Sequence, residues 1–257
     1  MKNISTYISE KLKISSKPKF NEHPNSPDEL NDVLVKYVHK YKDNIDLNDI
    51  DVSDIDNFSF AFNNIDEYYD IEFDVSEWDV SEGKSFLGMF AKCKSFNSDI
   101  SNWNMSKATN LTNMFEDCKK FNQDLSKWDV HNVKVLNNTF YDCYAFNQDI
   151  SGWDVSNVID MSGMRFYCKE FNQDISNWDV RNVTLGYFAF ISCKKLDCDF
   201  SKWDIKSLKD GEKMFSYCES LTADFSKWNK YKVRTYSRMF EGCRNVKNLP
   251  VWYDDIV

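Results

Sequence analysis

The chain has 257 residues, of which 42% are hydrophobic, and its formal net charge is −9 at pH 7. The apolar fraction, with only 7 Gly and 4 Pro, excludes a disordered linker protein. Net negative charge argues against non-specific nucleic-acid binding, which depends on Lys and Arg to neutralise phosphates. We therefore expect a folded protein that has no nucleic-acid partner.

The N-terminal segment, residues 1–14, contains no apolar run long enough for the core of a signal peptide. No later segment approaches the roughly 18 apolar residues that span a bilayer. The same segment does place Ile4, Tyr7, Ile8 and Leu12 at helical spacing, which suits either a tail lying on the body or a docking peptide. The sequence thus predicts a cytoplasmic or virion-associated protein without membrane insertion.

A helix is predicted over about residues 27–42. Ser26 is a capping residue, Pro27 suits the first turn and Glu29 completes a capping box. The apolar stripe that follows consists of Leu30, Val33, Leu34, Tyr37, Val38 and Tyr41. This stripe needs a surface to cover, so residues 1–46 are expected to form an N-terminal tail and a capping helix.

The rest of the chain is a repeat with a constant 25-residue period. Two residue types mark it: Trp78, Trp103, Trp128, Trp153, Trp178, Trp203 and Trp228, and Cys93, Cys118, Cys143, Cys168, Cys193, Cys218 and Cys243. A degenerate first copy covers residues 47–77, regular copies cover 78–252, and a short C-terminal end follows to 257. A fixed period in this range predicts a solenoid in which each unit buries its apolar face on its neighbours.

Positions within a unit are counted from its Trp as position 1. The segment at positions 19 to 24, such as FNQDIS from Phe171, suits a short parallel strand, and positions 5 to 9 suit a second one. The Met-Phe-x-x-Cys run between them, for example Met114 to Cys118, has the spacing of one helical turn. The predicted fold class is therefore an α/β repeat solenoid of about eight units with short parallel strands.

The unit also carries a family resemblance. Its pattern of Trp-Asp-Val-Ser-Asn-Val, Met-x-x-Met-Phe-x-x-Cys and Phe-Asn-x-Asp-Ile-Ser resembles the BspA-like leucine-rich-repeat family, in the Mycoplasma-lipoprotein type of 25-residue repeat, over about residues 47–250. The resemblance implies a leucine-rich-repeat-like solenoid. It also implies a surface protein or adhesin, or a protein of the kind that carries such repeats in viral and phage genomes. The start of this chain lacks the signal peptide and lipoprotein cysteine of the surface members.

The recurring polar residues allow two interpretations, structural or metal-binding. Asp recurs at position 22 (Asp99, Asp124, Asp149, Asp174, Asp199 and Asp224) and Asn at position 20 (Asn97, Asn122, Asn147 and Asn172). We expect these side chains to bond to turn backbone, since a row of calcium sites would need ligand oxygens of several kinds. Three scattered histidines supply no zinc site at suitable spacing. No metal or cofactor is therefore expected.

The cysteine column suits reduced, buried thiols better than disulfides between neighbouring units. Cys198 lies outside the column and is a candidate reactive thiol. The chain contains no Gly-rich phosphate loop and no nucleophile elbow. These observations predict no catalytic residue and no enzyme.

Residues that vary between copies are candidates for contact with a protein partner. Position 17 forms a basic row of Lys94, Lys119, Lys169, Lys194 and Arg244, which is either a solvated edge or a docking strip. Five further residues form a candidate exposed aromatic and aliphatic patch: Tyr141, Tyr144, Phe166, Tyr167 and Ile191. Because Arg165 replaces a Phe, Phe166 turning inward is an equal alternative that would shrink the patch.

Two functions are compatible with this sequence. The first is a non-enzymatic interaction or structural protein that presents a repeat surface to another protein, for example in a phage particle or another assembly. The second is a bacterial cell-surface adhesin-like protein. The unfinished C-terminal interval from Leu249 predicts a thinly covered edge, for which end-to-end contacts are a further hypothesis.

Overall fold

The structure is a computed structural model, and it describes residues 21–41, 44–62, 65, 71–164 and 170–254. The elements in chain order are helix α1 (Pro27–Tyr41), strand β1 (Ile45–Asp46) and strand β2 (Phe73–Asp74). β1 and β2 pair in parallel, with Ile45 opposite Phe73. Beyond them, the described chain is built from turns and single bridges between units.

The predicted helix is confirmed as α1. Its first turn is closed by Ser26 Oγ, which accepts from Glu29 N–H at 3.2 Å, and Glu29 Oε2 accepts from Asn25 N–H at 2.8 Å. The buried residues of α1 are Leu30, Leu34, Tyr37 and Val38, which belong to the same apolar cluster as the repeats. Asn31 Nδ2 donates to the carbonyl of Ala61 at 2.8 Å, which places α1 against the first repeat. The boundary predicted between residues 46 and 47 stays a prediction.

Successive units meet at position 8 through parallel bridges. The chain of bridges joins Asn57, Ser85, Asn110, Val135, Asp160, Leu185, Asp210 and Thr235, each to the next. The first step, from Asn57 to Ser85, is slightly longer than the others, and every later step equals the period of the sequence. Equivalent residues of neighbouring units are therefore in register along the described chain.

The backbone hydrogen bonds within a unit alternate between two directions. In the unit that starts at Trp78, the N–H groups of Phe86 and Gly88 donate to the carbonyls of Asn110 and Thr112 in the next unit, at 2.9 and 2.8 Å. The intervening N–H of Met89 donates within the unit, to Phe86. At positions 9, 11, 13 and 15 the N–H groups thus point towards the following unit. Each unit therefore supplies the donors that pair with the carbonyls of the next.

The Met-Phe-x-x-Cys run is not the helical turn that the sequence predicted. Position 11 has a positive φ in every described repeat from Gly88 to Arg238, and position 15 does so in most of them. A residue in the left-handed region ends a right-handed helical turn, so the run is a series of tight turns. These turns give the N–H groups their alternating directions.

Regular strands at positions 19 to 24 are also fewer than predicted. β2 occupies this part of the degenerate copy, and Asp224 bridges Asn248 near the end. Residues 96–100 and 121–125, in contrast, belong to neither helix nor strand. Their side chains, rather than a backbone ladder, join neighbouring units at this edge.

The Trp residues form a buried column. The rings of Trp128 and Trp153 are nearly parallel with centroids 6.4 Å apart, so these equivalent indoles of neighbouring units lie next to each other. Trp153 Nε1 donates to the carbonyl of Leu125, at 3.0 Å, in the preceding unit. Since a buried indole N–H needs an acceptor, this bond fixes each Trp on the unit before it.

Candidate interaction surfaces

The Asp residues at position 22 are used by their own turns. Asp149 Oδ1 accepts from the N–H of Ser151 at 2.9 Å, and Asp224 Oδ1 accepts from the N–H of Ser226 at 2.8 Å. Hydrogen bonds from the side chain and then the backbone of Ser151 lower the pKa of Asp149. The equivalent bonds from Ser226 lower the pKa of Asp224 to about 2. These carboxylates therefore stabilise turns, as the sequence predicted.

The Asn residues at position 20 join one unit to the next. Asn97 Oδ1 accepts from the N–H of Asn122 at 3.0 Å, and Asn122 Oδ1 accepts from the N–H of Asn147 at 2.9 Å. This side-chain ladder replaces the backbone ladder that a strand would supply. Among the described residues, no group of three or more His, Cys, Asp or Glu is arranged to hold a metal ion.

The cysteine column lies in the core and donates between units. Cys118 Sγ donates to the carbonyl of Phe90 at 3.0 Å, and Cys143 Sγ donates to that of Phe115 at 2.8 Å. Burial raises the pKa of the Cys118 thiol well above its ordinary value. A thiol held in this way is a structural group rather than a nucleophile.

Cys198 corrects one prediction from the sequence. Only 8% of this residue is exposed, and burial raises its thiol pKa to about 12. At neutral pH its thiolate is therefore scarce, so Cys198 is not the reactive thiol that was expected. Cys243 in the last unit differs, because it is half-buried and its interaction with the Cys218 side chain lowers its thiol pKa.

The basic row at position 17 is exposed wherever the structure describes it, at Lys94, Lys119, Lys194 and Arg244. Lys194 Nζ pairs with Glu219 at 2.7 Å, and Lys119 Nζ lies 3.6 Å from Asp117 Oδ1. The side chains of the Lys194–Glu219 pair are about half exposed and those of the Lys119–Asp117 pair somewhat less, and ion pairs in contact with solvent contribute little to stability. Lys169 lies outside the described residues.

The candidate patch is only partly present. Tyr144 is 44% exposed, and Tyr141 is half-buried. Ile191 is buried, with 7% exposure, which corrects its assignment to an exposed patch because its side chain packs inward. Phe166 and Tyr167 lie outside the described residues, as does Arg165. The inward turn of Phe166 therefore stays a prediction.

The structure does bring members of the two predicted sets together. Lys119 Nζ lies 5.9 Å from the centre of the Tyr144 ring, within the range of a cation–π contact. Interaction with Asp142 and partial burial raise the pKa of Tyr144. We name Lys119, Tyr141 and Tyr144 the lateral surface.

The two ends of the chain, for which the sequence suggested end-to-end contacts, differ in exposure and charge from the interior. Near the C-terminus, Tyr231 and Val251 are 64% and 92% exposed. Residues 228–252 contain six Lys or Arg and one Glu, while residues 44–83 contain nine Asp, four Glu and no Lys or Arg. Counting charges in windows of one unit would have shown this contrast, which the overall net charge conceals.

Within the described part of the chain, no helix has the length and apolar character needed to cross a membrane. This finding is consistent with the predicted absence of a transmembrane segment.

The comparisons with known proteins give one match. Neither the curated proteins nor the solved structures include one that the chain matches. A family model described as "Mycoplasma protein of unknown function, DUF285" matches twice in tandem, over residues 32–153 and 134–252. Together these matches extend over most of the sequence, and the chain therefore belongs to the DUF285 family.

Proposed function

We propose that this protein is a non-enzymatic interaction or structural protein that presents a repeat surface to a protein partner, as a component of a phage particle, a virion or another assembly. The side chains that a catalytic or metal site would use are engaged elsewhere. The Asp residues at position 22 close turns, the Asn residues at position 20 join units, and the thiols of the column lie in the core. The side chains that remain on the surface recur at regular intervals, and such an array is suited to contact with a protein partner.

The proposal includes the architecture that presents this surface. We propose a leucine-rich-repeat-like solenoid of the BspA-like kind, running through the degenerate and regular copies. The parallel bridges in constant register support it, as does the association of DUF285 with BspA-like repeat proteins. A body of this kind holds side chains of successive units at fixed spacing, because each unit contacts its neighbours on both sides.

The lateral surface carries the proposal. Tyr144 is exposed and has the ammonium group of Lys119 over its ring, although Trp128, Phe140 and Phe146 of the same unit are buried. Tyr is enriched at the centres of protein interfaces, where its ring supplies apolar area and its hydroxyl finds a polar partner. The neighbouring basic row supplies positive charge that guides a negatively charged partner.

The test is cross-linking and affinity capture from the native host with matched charge variants. One variant carries Lys94→Glu, Lys119→Glu and Lys194→Glu. The control carries Lys127→Glu, Lys202→Glu and Lys227→Glu, which are equally exposed but lie at position 25. Both change the net charge by the same amount, and circular dichroism checks that both are folded.

A protein captured by the wild type and the control, but lost with the position-17 variant and with Tyr144→Ala, would support the proposal. Equal capture by all four proteins would show that the lateral surface is solvated and is not the contact. Purified wild type that turns over a substrate in hydrolase or transferase assays would overturn the non-enzymatic assignment.

A further inference from the structure

The two ends of the repeat body have opposite charge. The acidic segment 44–83 has a formal charge of −13, and the last unit, residues 228–252, has a formal charge of +5. Of the acidic side chains, Asp54 and Asp56 are exposed; of the basic ones, Arg234 and Arg238 are exposed. Neither arginine forms an ion pair with any described residue. The positive charge at this end is therefore available to a partner.

The backbone of the last unit is also incompletely bonded. In the preceding unit, the N–H groups of Gly211 and Lys213 donate forward to Thr235 and Ser237 at 2.9 and 3.0 Å. The corresponding N–H groups of the last unit belong to Tyr236 and Arg238, and within the described chain neither has an acceptor. A backbone edge with unpaired donors is a site for adding another chain.

The first copy lacks the complementary bonds. Inside the stack, position-8 and position-10 carbonyls such as those of Asn110 and Thr112 accept from the preceding unit. The corresponding carbonyls of the first copy belong to Asn57 and Ser59, and no donor reaches them from the described residues. The acidic end therefore has free acceptors at the positions where the basic end has free donors.

Both ends are capped on one side and open on the other. At the acidic end, α1 covers position 12 through the Asn31 bond to Ala61. At the basic end, the hydroxyl of Tyr253 accepts from the N–H of Phe240, at position 13, with a separation of 3.4 Å. At both ends the side chain at position 9 is covered, since Phe58 is buried and the Tyr236 ring packs against those of Trp252 and Tyr253. Positions 7, 8, 10 and 11 are exposed or half-buried at both ends, and Asn57 and Thr235 are exposed whereas the interior Asn110 is half-buried.

We propose that the open side of the basic end docks on the open side of the acidic end of a second copy of this chain. The N–H groups of Tyr236 and Arg238 donate to the carbonyls of Asn57 and Ser59 in the second copy, repeating the register found between units. Arg234 then lies beside Asp56, an arrangement that Lys84 already shows within one chain, with its Nζ 3.0 Å from Asp56 Oδ2. Charge and backbone complementarity thus select the same pair of surfaces.

The geometry has a consequence for the assembly. The contact joins two different surfaces, so each added copy leaves one basic and one acidic end free, and the assembly grows unless it closes into a ring. The caps keep the other sides of the ends apart, so the axes of successive copies are inclined to one another. This inference does not rest on the lateral surface, which stays exposed in such an assembly.

The test is sedimentation velocity with the full chain and variants that block one end each. Arg234→Glu with Arg238→Glu blocks the basic end, and Asp54→Lys with Asp56→Lys blocks the acidic end. Lys127→Glu with Lys202→Glu is the control, because it makes the same charge change as the first variant away from both ends. Circular dichroism checks that all of them fold.

We expect the wild type and the control to exceed the monomer mass of 30.4 kDa as concentration rises. The larger species should dissociate in about 1 M salt, where the screening length is about 3 Å. Each blocked variant should stay monomeric alone, and a 1:1 mixture of the two should associate again, since each supplies the end that the other lacks and the two charge-reversed ends are complementary to each other. A monomeric wild type at high concentration, blocked variants that associate like the wild type, or a mixture that stays monomeric would each overturn the inference.

Discussion

The interior units and the last unit have the same pattern but different surroundings. In the unit that starts at Trp103, the N–H groups of Leu111, Asn113, Phe115 and Asp117 all donate to the next unit. In the unit that starts at Trp228, the only one of the four that finds a described acceptor is that of Phe240, through the Tyr253 hydroxyl. Whether the backbone N–H groups of a unit have acceptors therefore depends on its neighbours. The stability of a unit thus comes largely from its interfaces with them.

The thiols show the same contrast. Cys118 is fully buried, with a raised pKa, whereas Cys243 at the equivalent position of the last unit is half-buried, with a lowered pKa. Its Sγ still donates to the carbonyl of Phe215 at 2.9 Å. The hydrogen bond to the preceding unit is kept at this more exposed end, and the hydrogen bond with the Cys218 side chain lowers the pKa of the Cys243 thiol.

The largest expected effect is on an interior Trp. Trp153→Ala should lower the free energy of unfolding by about 3–5 kcal/mol, because it removes a buried ring together with the indole hydrogen bond to the carbonyl of Leu125. Trp252→Ala should cost about 1–2 kcal/mol, since Trp252 is half-buried, although its Nε1 donates to Trp228 at 2.7 Å. Urea denaturation followed by circular dichroism measures both. Equal losses would contradict the difference drawn here between interior and end.

A smaller effect is expected at the turns that aim the N–H groups. Gly163, at position 11, has a φ of +56°, and a Cβ added there would lie 2.0 Å from Asn138 Oδ1. Gly163→Ala should therefore destabilise the protein by about 1–2 kcal/mol, from left-handed strain and displacement of Asn138. Gly152→Ala is the matched control, since a Cβ there meets nothing within 4 Å and the change should stay within about 0.5 kcal/mol. Differential scanning calorimetry of both variants measures the difference, and a Gly163→Ala transition unchanged from wild type would contradict the role of the turn.

The smallest effects per site are expected from the turn carboxylates. Hydrogen bonds lower the folded-state pKa of Asp149 and Asp174 below the ordinary value of 3.8, so the unfolded state binds more protons in acid. Their contribution is present above the ordinary pKa and is lost as the pH falls through the lowered value. For Asp224 that window runs from 3.8 to about 2.

We therefore expect urea midpoints that change little above about pH 5 and fall between about pH 4 and pH 2. Asp149→Asn keeps an oxygen that accepts from Ser151 but does not titrate, so it should reduce this fall, by less than about 1 kcal/mol at an exposed site. Asp149→Ala, which loses the acceptor, should instead be destabilised at neutral pH. Variants that lose stability in parallel with the wild type at every pH would show that Asp149 does not carry the dependence.

The alignment of equivalent residues in neighbouring units could be predicted from sequence alone. A Trp that recurs once in every unit needs a buried place and an acceptor each time, and stacking of equivalent indoles supplies both, as at Trp128 and Trp153. α1 was predictable for a similar reason, because Ser26, Pro27 and Glu29 are local signals that depend little on the rest of the fold.

The path of the chain within a unit could not be predicted in the same way. Positive φ at position 11 falls on Gly or Asn in the first four regular units, and these types favour the left-handed region, but it also falls on Phe188, Lys213 and Arg238, which carry no such signal. The N–H at position 11 donates to the following unit, as that of Phe188 does to the carbonyl of Glu212 at 2.8 Å, and this bonding between units overrides local preference. The burial of Ile191 could not be predicted either, since position 14 is buried at Ile191 and Ser216 but half-buried at Tyr141, without a matching change of pattern in the sequence.

Because the backbone hydrogen bonds alternate in the same way in each repeat, one repeat can replace another as the support for the unit that follows. A unit offers the one after it the same row of N–H groups at positions 9, 11, 13 and 15, whatever side chains it carries. Insertion or loss of one whole copy between the two ends would therefore leave the N–H groups between the remaining units with their acceptors. It would not change α1 or the terminal segment. The length of this protein is then a quantity that gene duplication can adjust in steps of one unit, independently of what its surfaces recognise.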